Sequence, residues 1–268
     1  MTVRAGVAGQ PIAHSLSPLI HTAWIAAAGL DADYRAFGPP DAAAFDALVA
    51  EGRAGRLRGL NVTAPFKEQA LAHADRIGEA ARACGSANLL LFEEGEVAAD
   101  STDGAGLLAA LQEQAPDLEL ADASAVVLGA GGAARAAVAA LTAAGARVGV
   151  LNRTAARAEA LVAEVGGMVV GPEAPGGADL VVNALSVRPD LDVAALRADA
   201  VLMDMTYRPL MTDFLTAGRT RGLTVVDGLA MLIGQARPSF EAIFRAPAPG
   251  ASDLDVRALC LAALEATP

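Results

Sequence analysis

The stretch VVLGAGGAARAA, residues 126–137, constrains this chain more than any other. An apolar run ends in glycine, and an alanine-rich, helix-forming run follows at once. Gly129, Gly131 and Ala134 fall at the spacing GxGxxA. Glycines there let the backbone turn tightly and approach a ligand closely, while the helix start aims unpaired N–H groups and a positive dipole at it. With a further apolar run, ARVGVL, behind the helix, the pattern predicts a βαβ unit that holds the pyrophosphate of a dinucleotide.

That next run ends in LNRTAAR. A free ribose 2′-hydroxyl is usually met at this place by Asp or Glu, and neither is present. Asn152, Arg153, Thr154 and Arg157 offer neutral and cationic donors instead. Such donors suit a 2′-phosphate, so NADP is expected rather than NAD.

A chain of 268 residues is long enough for two modest domains, since domains commonly hold about 100 to 200 residues. Short apolar runs alternate with amphipathic segments almost throughout, the pattern of an α/β protein with helices on a largely parallel sheet. The first half reads as strand 3–9, helix 18–28, strand 32–37, helix 41–51, strand 57–63 and a helical stretch 66–83. Two short runs, LLLF and EVAAD, then flank the turn EEG and predict a hairpin. A helix from Asp103 to Gln114 follows, and the topology changes near residue 102. A second, more regular series begins at SAVVLG, and the chain closes with helices over 229–244 and 253–265.

The formal charge of −11 disfavours nucleic acid and anionic membranes as partners, because both need a positive field. The most hydrophobic region, 126–151, is interrupted by Arg135 and Arg147, and the start MTVRAGVAG has no signal-type apolar run, so no membrane span is expected. Cys84 and Cys260 have neither CxxC nor metal-ligand spacing. They read as reduced apolar filler, with no metal site and a cytoplasmic location expected.

Polar islands interrupt the apolar pattern. HSLSPLIH, residues 14–21, surrounds a helix-starting proline with two serines and two histidines. RGLNVTAPFKEQA, residues 58–70, ends a strand in small polar groups and places Lys67 at a helix start. Asn61 and Thr63 suit positioning there and Lys67 suits proton transfer. Asn88 follows CGSA, and Asp103 opens a helix in DSTDGAG.

In this order, HSLSPLIH, GLNVTAPFK, GSAN, STDG, GAGGAARA, NRTAAR, DMTYRPLMT and GLAMLIGQA resemble the shikimate dehydrogenase family, including its quinate-specific members. The resemblance runs from about Gly9 to Gln235. It implies an α/β substrate domain, residues 1–101 completed by the C-terminal helices 240–268, and a Rossmann-type NADP domain over 102–239. By the same resemblance Ser15 and Ser17 hold the substrate carboxylate, and Thr63, Lys67, Asn88, Asp103, Tyr207 and Gln235 meet the ring hydroxyls and carboxylate. His14 and His21 are then structural or supporting groups. The implied reaction is reversible hydride transfer between NADPH and the ring carbonyl of 3-dehydroshikimate, a small-molecule substrate, giving shikimate, a step in aromatic amino acid biosynthesis. Lys67 would be the acid/base, with Asp103 orienting it and the substrate hydroxyl. On the cofactor side the resemblance places Glu79, Met205 and Gly228 near the nicotinamide, Gly129, Ala130, Gly131, Gly132 and Ala133 at the pyrophosphate, and Asn152 to Arg157 at the adenosine phosphate. A homodimer is compatible with it.

Several positions depart from the family pattern. Thr22 and Ser101 stand where Asn is usual, Asp100 where an aromatic or small residue is common, and Leu185 where Thr is usual. Exchanging an amide for a hydroxyl removes donors and reach, and an unpartnered substrate hydroxyl costs roughly 1 to 3 kcal/mol. Quinate or a substituted shikimate is therefore an alternative substrate. A non-catalytic sensor of dinucleotide or polyol acid is the alternative from a different class, and it would not need the Lys67 and Asp103 pair.

Overall fold

In the computed structural model, which describes residues 2–266, the chain divides into two units: Met1–Thr102 with Ala236–Pro268, and Asp103–Gln235. The first contains β1 (Val3–Ala8), α1 (Ser17–Ala27), β2 (Ala32–Phe37), α2 (Ala42–Arg53), β3 (Gly59–Val62), α3 (Lys67–Ala72), β4 (Arg76–Ile77), α4 (Glu79–Cys84), β5 (Leu89–Glu93) and β6 (Glu96–Asp100). The second contains α5 (Asp103–Gln114), β7 (Ser124–Leu128), α6 (Gly132–Ala143), β8 (Arg147–Leu151), α7 (Ala155–Val165), β9 (Met168–Val169), β10 (Leu180–Asn183), β11 (Val201–Asp204), α8 (Asp213–Thr220) and β12 (Thr224–Val226). The chain returns to the first unit within α9 (Gly228–Phe244) and ends with α10 (Val256–Glu265).

The sheet of the first unit has the order β2-β1-β3-β5-β6-β4. β1 is parallel to β2 and β3, and β4 is parallel to β6, whereas β5 runs antiparallel to both β3 and β6. The antiparallel pair β5–β6 is the hairpin expected from LLLF and EVAAD, and Gly95 at φ 85° supplies its turn. The helical stretch expected over 66–83 is instead α3 and α4 with β4 between them. The reason is tertiary: the Asp75 N–H donates to the Val97 carbonyl at 2.9 Å and Gly78 N–H to Ala99 at 2.8 Å, so the sheet edge captures residues that local propensity assigned to a helix.

Six parallel strands in the order β12-β11-β10-β7-β8-β9 form the second sheet. This is the Rossmann strand order, whose direction reverses between β7 and β10. Alternate residues feed the two faces. Val127, Val148, Val182 and Met203 pack with α5, α6 and α7 residues such as Leu107, Leu141 and Leu161, while Val126, Val181 and Leu202 pack with Phe214, Leu215 and Leu223. Burying a side chain of that size contributes about 1.5 to 3 kcal/mol, which is why both faces must be covered. β9 follows Gly166 and Gly167, both at positive φ, and was not expected from its two-residue apolar signal. The last helix starts at Val256 rather than at 253, capped by the Asp255 carboxylate, which accepts the Ala258 N–H at 2.9 Å. None of the helices among the described residues is long and apolar enough to cross a membrane.

Candidate functional site

Strand direction gathers the polar islands of the first unit at one sheet edge. β1 and β3 are parallel, so the loops that follow them leave from the same end, and antiparallel β5 begins there. The Gln10 N–H donates to the Ala64 carbonyl at 3.0 Å and Thr63 N–H to Ala8 at 2.9 Å, which stitches the two loops together. The loop after β1 carries Ser15, half-buried, and leads into α1 at Ser17, buried, whose N–H donates to the Ser15 hydroxyl at 3.3 Å. α1 thus starts one residue before the expected Pro18, which occupies its first turn. The loop after β3 turns through Thr63, whose carbonyl accepts the Phe66 N–H at 3.1 Å, and Lys67 opens α3. The Lys67 carbonyl accepts the Ala87 N–H at 3.0 Å, and the Asn88 carbonyl accepts the Val62 N–H at 2.8 Å. The segments that carry Ser15 and Ser17, Thr63 and Lys67, and Asn88 therefore lie at the same end of the sheet.

Asn88 is buried, and Thr102 holds its carboxamide: Thr102 N–H donates to Oδ1 at 2.8 Å, and Nδ2 donates to Thr102 Oγ1 at 3.0 Å. The departure at Asp100 has a structural role. Its Oδ1 accepts the Ser101 N–H at 2.8 Å and the Ala81 N–H at 3.1 Å, so it caps α4 in place of Gly78, which has no side chain. Glu79 opens that helix but is exposed, and Thr22 points outward on α1. Ser101 is buried with no hydrogen-bond partner for its hydroxyl.

Of the two histidines around Ser15 and Ser17, His14 is exposed and His21 is fully buried between aromatic rings. Neither ring nitrogen of His21 has a partner, and burial lowers its pKa to about 3, so it is a neutral packing group. The serines, and not the imidazoles, carry the polar character of HSLSPLIH.

In the second unit the glycine turn lies at the point where strand order reverses. Gly129 follows β7 at φ 117°, and a Cβ added there would sit 3.1 Å from Leu185, which follows β10. Only glycine adopts this turn without strain. Gly131 is the N-cap of α6 and has no side chain to satisfy the first-turn amides, which leaves them for a phosphate. Ala130, Gly132 and Ala133 complete the turn. After β8, Asn152 Nδ2 donates to the Thr154 carbonyl at 2.9 Å, and the Arg153 and Arg157 side chains are exposed with no acid among residues 152–157. This chemistry fits a 2′-phosphate and not a free ribose diol.

Met205 follows β11 and is half-buried. Gly228 starts α9, and a Cβ on it would lie 2.6 Å from the Met205 carbonyl, so these two expected nicotinamide contacts meet. The loop carrying Met205 and Tyr207 is held from below by Asp204. Its buried carboxylate accepts Asn183 Nδ2 at 3.0 Å, the Thr206 N–H at 2.9 Å and Thr212 Oγ1 at 2.8 Å. Asp103 is buried at the start of α5. One turn on, Gly106 packs so closely on α9 that a Cβ would meet Gln235 Cβ at 2.6 Å, which places Asp103 and Gln235 on packed helices. Lys67 and Asp103 belong to different units. Thr102, Asn183 and Asp204 were not expected as site residues. The signal for Asn183 and Asp204 was a polar side chain at the end of an apolar strand, where burial demands a partner.

Hydroxyl, amide and ammonium groups at the edge of one α/β unit, with a phosphate-binding turn on a Rossmann sheet in the other, define the class of two-domain, dinucleotide-dependent oxidoreductases. Residues 7–90 match the family model described as shikimate dehydrogenase substrate binding domain, and residues 110–173 match the one described as shikimate / quinate 5-dehydrogenase. The shikimate dehydrogenase (NADP(+)) of Caulobacter vibrioides is 51% identical over 96% of this chain and 94% of its own length. The enzyme of the same name from Maricaulis maris is 46% identical over 95% of each. A crystal structure of shikimate 5-dehydrogenase from Thermus thermophilus in complex with NADP(H) and shikimate superposes with a TM-score of 0.88 at 37% identity, covering 97% of this chain and 99% of that one. The chain belongs to the shikimate dehydrogenase family.

Proposed function

We propose that this chain is an NADP-dependent shikimate dehydrogenase that reversibly reduces 3-dehydroshikimate to shikimate. The observation that carries the reading is that the segments bearing Ser15 and Ser17, Thr63 and Lys67, and Asn88 lie at the same end of one sheet, in a chain 51% identical to an enzyme of that name. In this reading the unit of residues 1–102 and 236–268 is the substrate domain and the unit of residues 103–235 is the NADP domain.

Ser15 and Ser17, at a helix start, hold the substrate carboxylate, and Thr63, Asn88, Tyr207 and Gln235 hold it and the ring hydroxyls. NADPH, when bound, supplies a hydride to the ring ketone. Lys67 gives a proton to the carbonyl oxygen as the new C–H bond forms, so ketone plus hydride plus proton becomes the alcohol; in the reverse direction Lys67 takes that proton back. Asp103, as a carboxylate, orients the Lys67 ammonium and the reacting hydroxyl. Gly129 to Ala133 present backbone amides to the pyrophosphate, Asn152 to Arg157 hold the 2′-phosphate, and Met205, Gly228 and Glu79 flank the nicotinamide. The buried thiols of Cys84 and Cys260 support a cytoplasmic location.

The test is NADPH formation followed by absorbance with shikimate, then with quinate. Turnover of shikimate well above quinate is expected; turnover of neither refutes the reading, and preference for quinate moves the protein to the family's other activity.

A further inference from the structure

Beneath the sheet edge of the first unit runs a chain of buried polar side chains contributed by distant segments. Tyr34 OH donates to Asn61 Oδ1 at 2.8 Å, and Asn61 Nδ2 donates to Ser239 Oγ at 2.9 Å and reaches the Asn88 carbonyl at 3.3 Å. Ser239 Oγ lies 3.1 Å from Thr102 Oγ1, which in turn accepts Asn88 Nδ2. Ser239 is completely buried in α9, and the other members are nearly so.

The donors and acceptors allow little choice of orientation. The Asn88 carbonyl can only accept, so the Asn61 amide nitrogen must face it and Oδ1 must face Tyr34. The Thr102 N–H can only donate, so Asn88 Oδ1 must face it and Nδ2 must face Thr102 Oγ1. Between these two carboxamides stand two hydroxyls: Ser239 Oγ accepts from Asn61 Nδ2 and exchanges a hydrogen bond with Thr102 Oγ1, which accepts from Asn88 Nδ2. Neutral buried networks of this kind are costly when one member is removed, because each neighbour keeps a polar atom out of water.

We propose that Ser239 is a positioning residue for substrate binding: through Thr102 it fixes the carboxamide of Asn88, and Tyr34 supports the same network through Asn61. The proposal rests on the assignment of Asn88 to the substrate made above. Ser239 itself touches no reacting atom.

The experiment measures KM for shikimate and for NADP, and shikimate Kd by calorimetry, in wild type, Ser239→Ala, Asn88→Ala and the double variant. Ser239→Ala is expected to raise the shikimate KM and Kd about tenfold, as for one lost buried hydrogen bond, with the NADP KM unchanged. Added to Asn88→Ala it should cause no further rise, because it acts through that residue. Additive effects, an unchanged shikimate constant, or an equal rise in the NADP KM overturn the proposal. Tyr34→Phe is the second probe: it should raise the shikimate KM several-fold, and an unchanged value counts against the network even if Ser239→Ala fails to fold. An active wild type with additive variants refutes the proposal alone, whereas a wild type that neither binds nor oxidises shikimate refutes the functional reading and the proposal with it.

Discussion

The imidazole of His21 lies flat on the ring of Tyr34, with centroids 4.1 Å apart and planes within 5° of parallel. Burial without partners holds this imidazole neutral down to a pKa of about 3, whereas an unfolded histidine takes up a proton below about 6.5. The unfolded chain therefore binds more protons between these values. The contribution is complete above about pH 6.5 and is lost as pH falls from there towards 3, with a limiting slope of about 1.4 kcal/mol per pH unit. Urea unfolding at pH 6.5 and 5 should show the wild type losing about 2 kcal/mol more than His21→Phe, since the other titrating groups are common to both. Equal losses would mean that His21 is protonated or solvated in the fold.

Lys67 opens α3 beside Thr63 and Asn88. Lys67→Ala should lower turnover roughly 100- to 10,000-fold, the usual range for loss of a general acid/base, while NADP and shikimate still bind. Stopped-flow turnover together with cofactor titration separates the two quantities. Unchanged turnover would remove Lys67 from the reaction.

Arg153 and Arg157 are exposed beside the end of β8 with no carboxylate among residues 152–157. Replacing both by Ala should raise the KM for NADP at least about tenfold, because hydrogen bonds to charged groups are worth roughly 1.5 to 3 kcal/mol each. The constant for NAD, which lacks the 2′-phosphate, should change little. Parallel loss with both cofactors would place the arginines elsewhere than at that phosphate.

Gly129 and Gly131 should respond differently to the same methyl group. Gly129→Ala meets Leu185 at a φ of 117° and should cost roughly 1 to 3 kcal/mol of stability. Gly131 has open space around it, so Gly131→Ala should leave stability within about 0.5 kcal/mol while raising the NADP KM. Thermal unfolding without cofactor, followed by NADP kinetics, checks both.

Asp204→Ala strips three donors of one buried acceptor, those of Asn183, Thr206 and Thr212. About 3 kcal/mol or more should be lost in chemical unfolding. A cost under about 1 kcal/mol would show that water replaces the carboxylate.

Much of the fold was legible because its signals are local. Glycine and proline punctuate almost every element, and the strand–GxGxxA–helix pattern needs only adjacent residues to be recognised. The helical stretch over 66–83 failed for the opposite reason: Val97 and Ala99, some twenty residues on, offer carbonyls that outcompete the helix. The candidate site divides in the same way. Ser15, Thr63, Lys67 and the glycine turn sit in polar islands of an apolar sequence, but Ser239 and Tyr34 have ordinary helical and strand neighbours, and nothing near them in sequence shows that they share one network.

By itself the sequence determined most element types, the glycine turn between an apolar strand and a helix, a cationic segment without an acid after the next strand, and the ordered motifs of the family. Those properties depend on residue chemistry and short spacing, which the linear order preserves. Tertiary structure alone decided that His21 is a neutral packing group, that Asp100 caps α4, that Asp204 braces the Met205 loop, and that Ser239 stands between Asn61 and Thr102. Each depends on burial and on partners brought together by strand direction, and burial is what turns an ordinary polar side chain into one that must be paired.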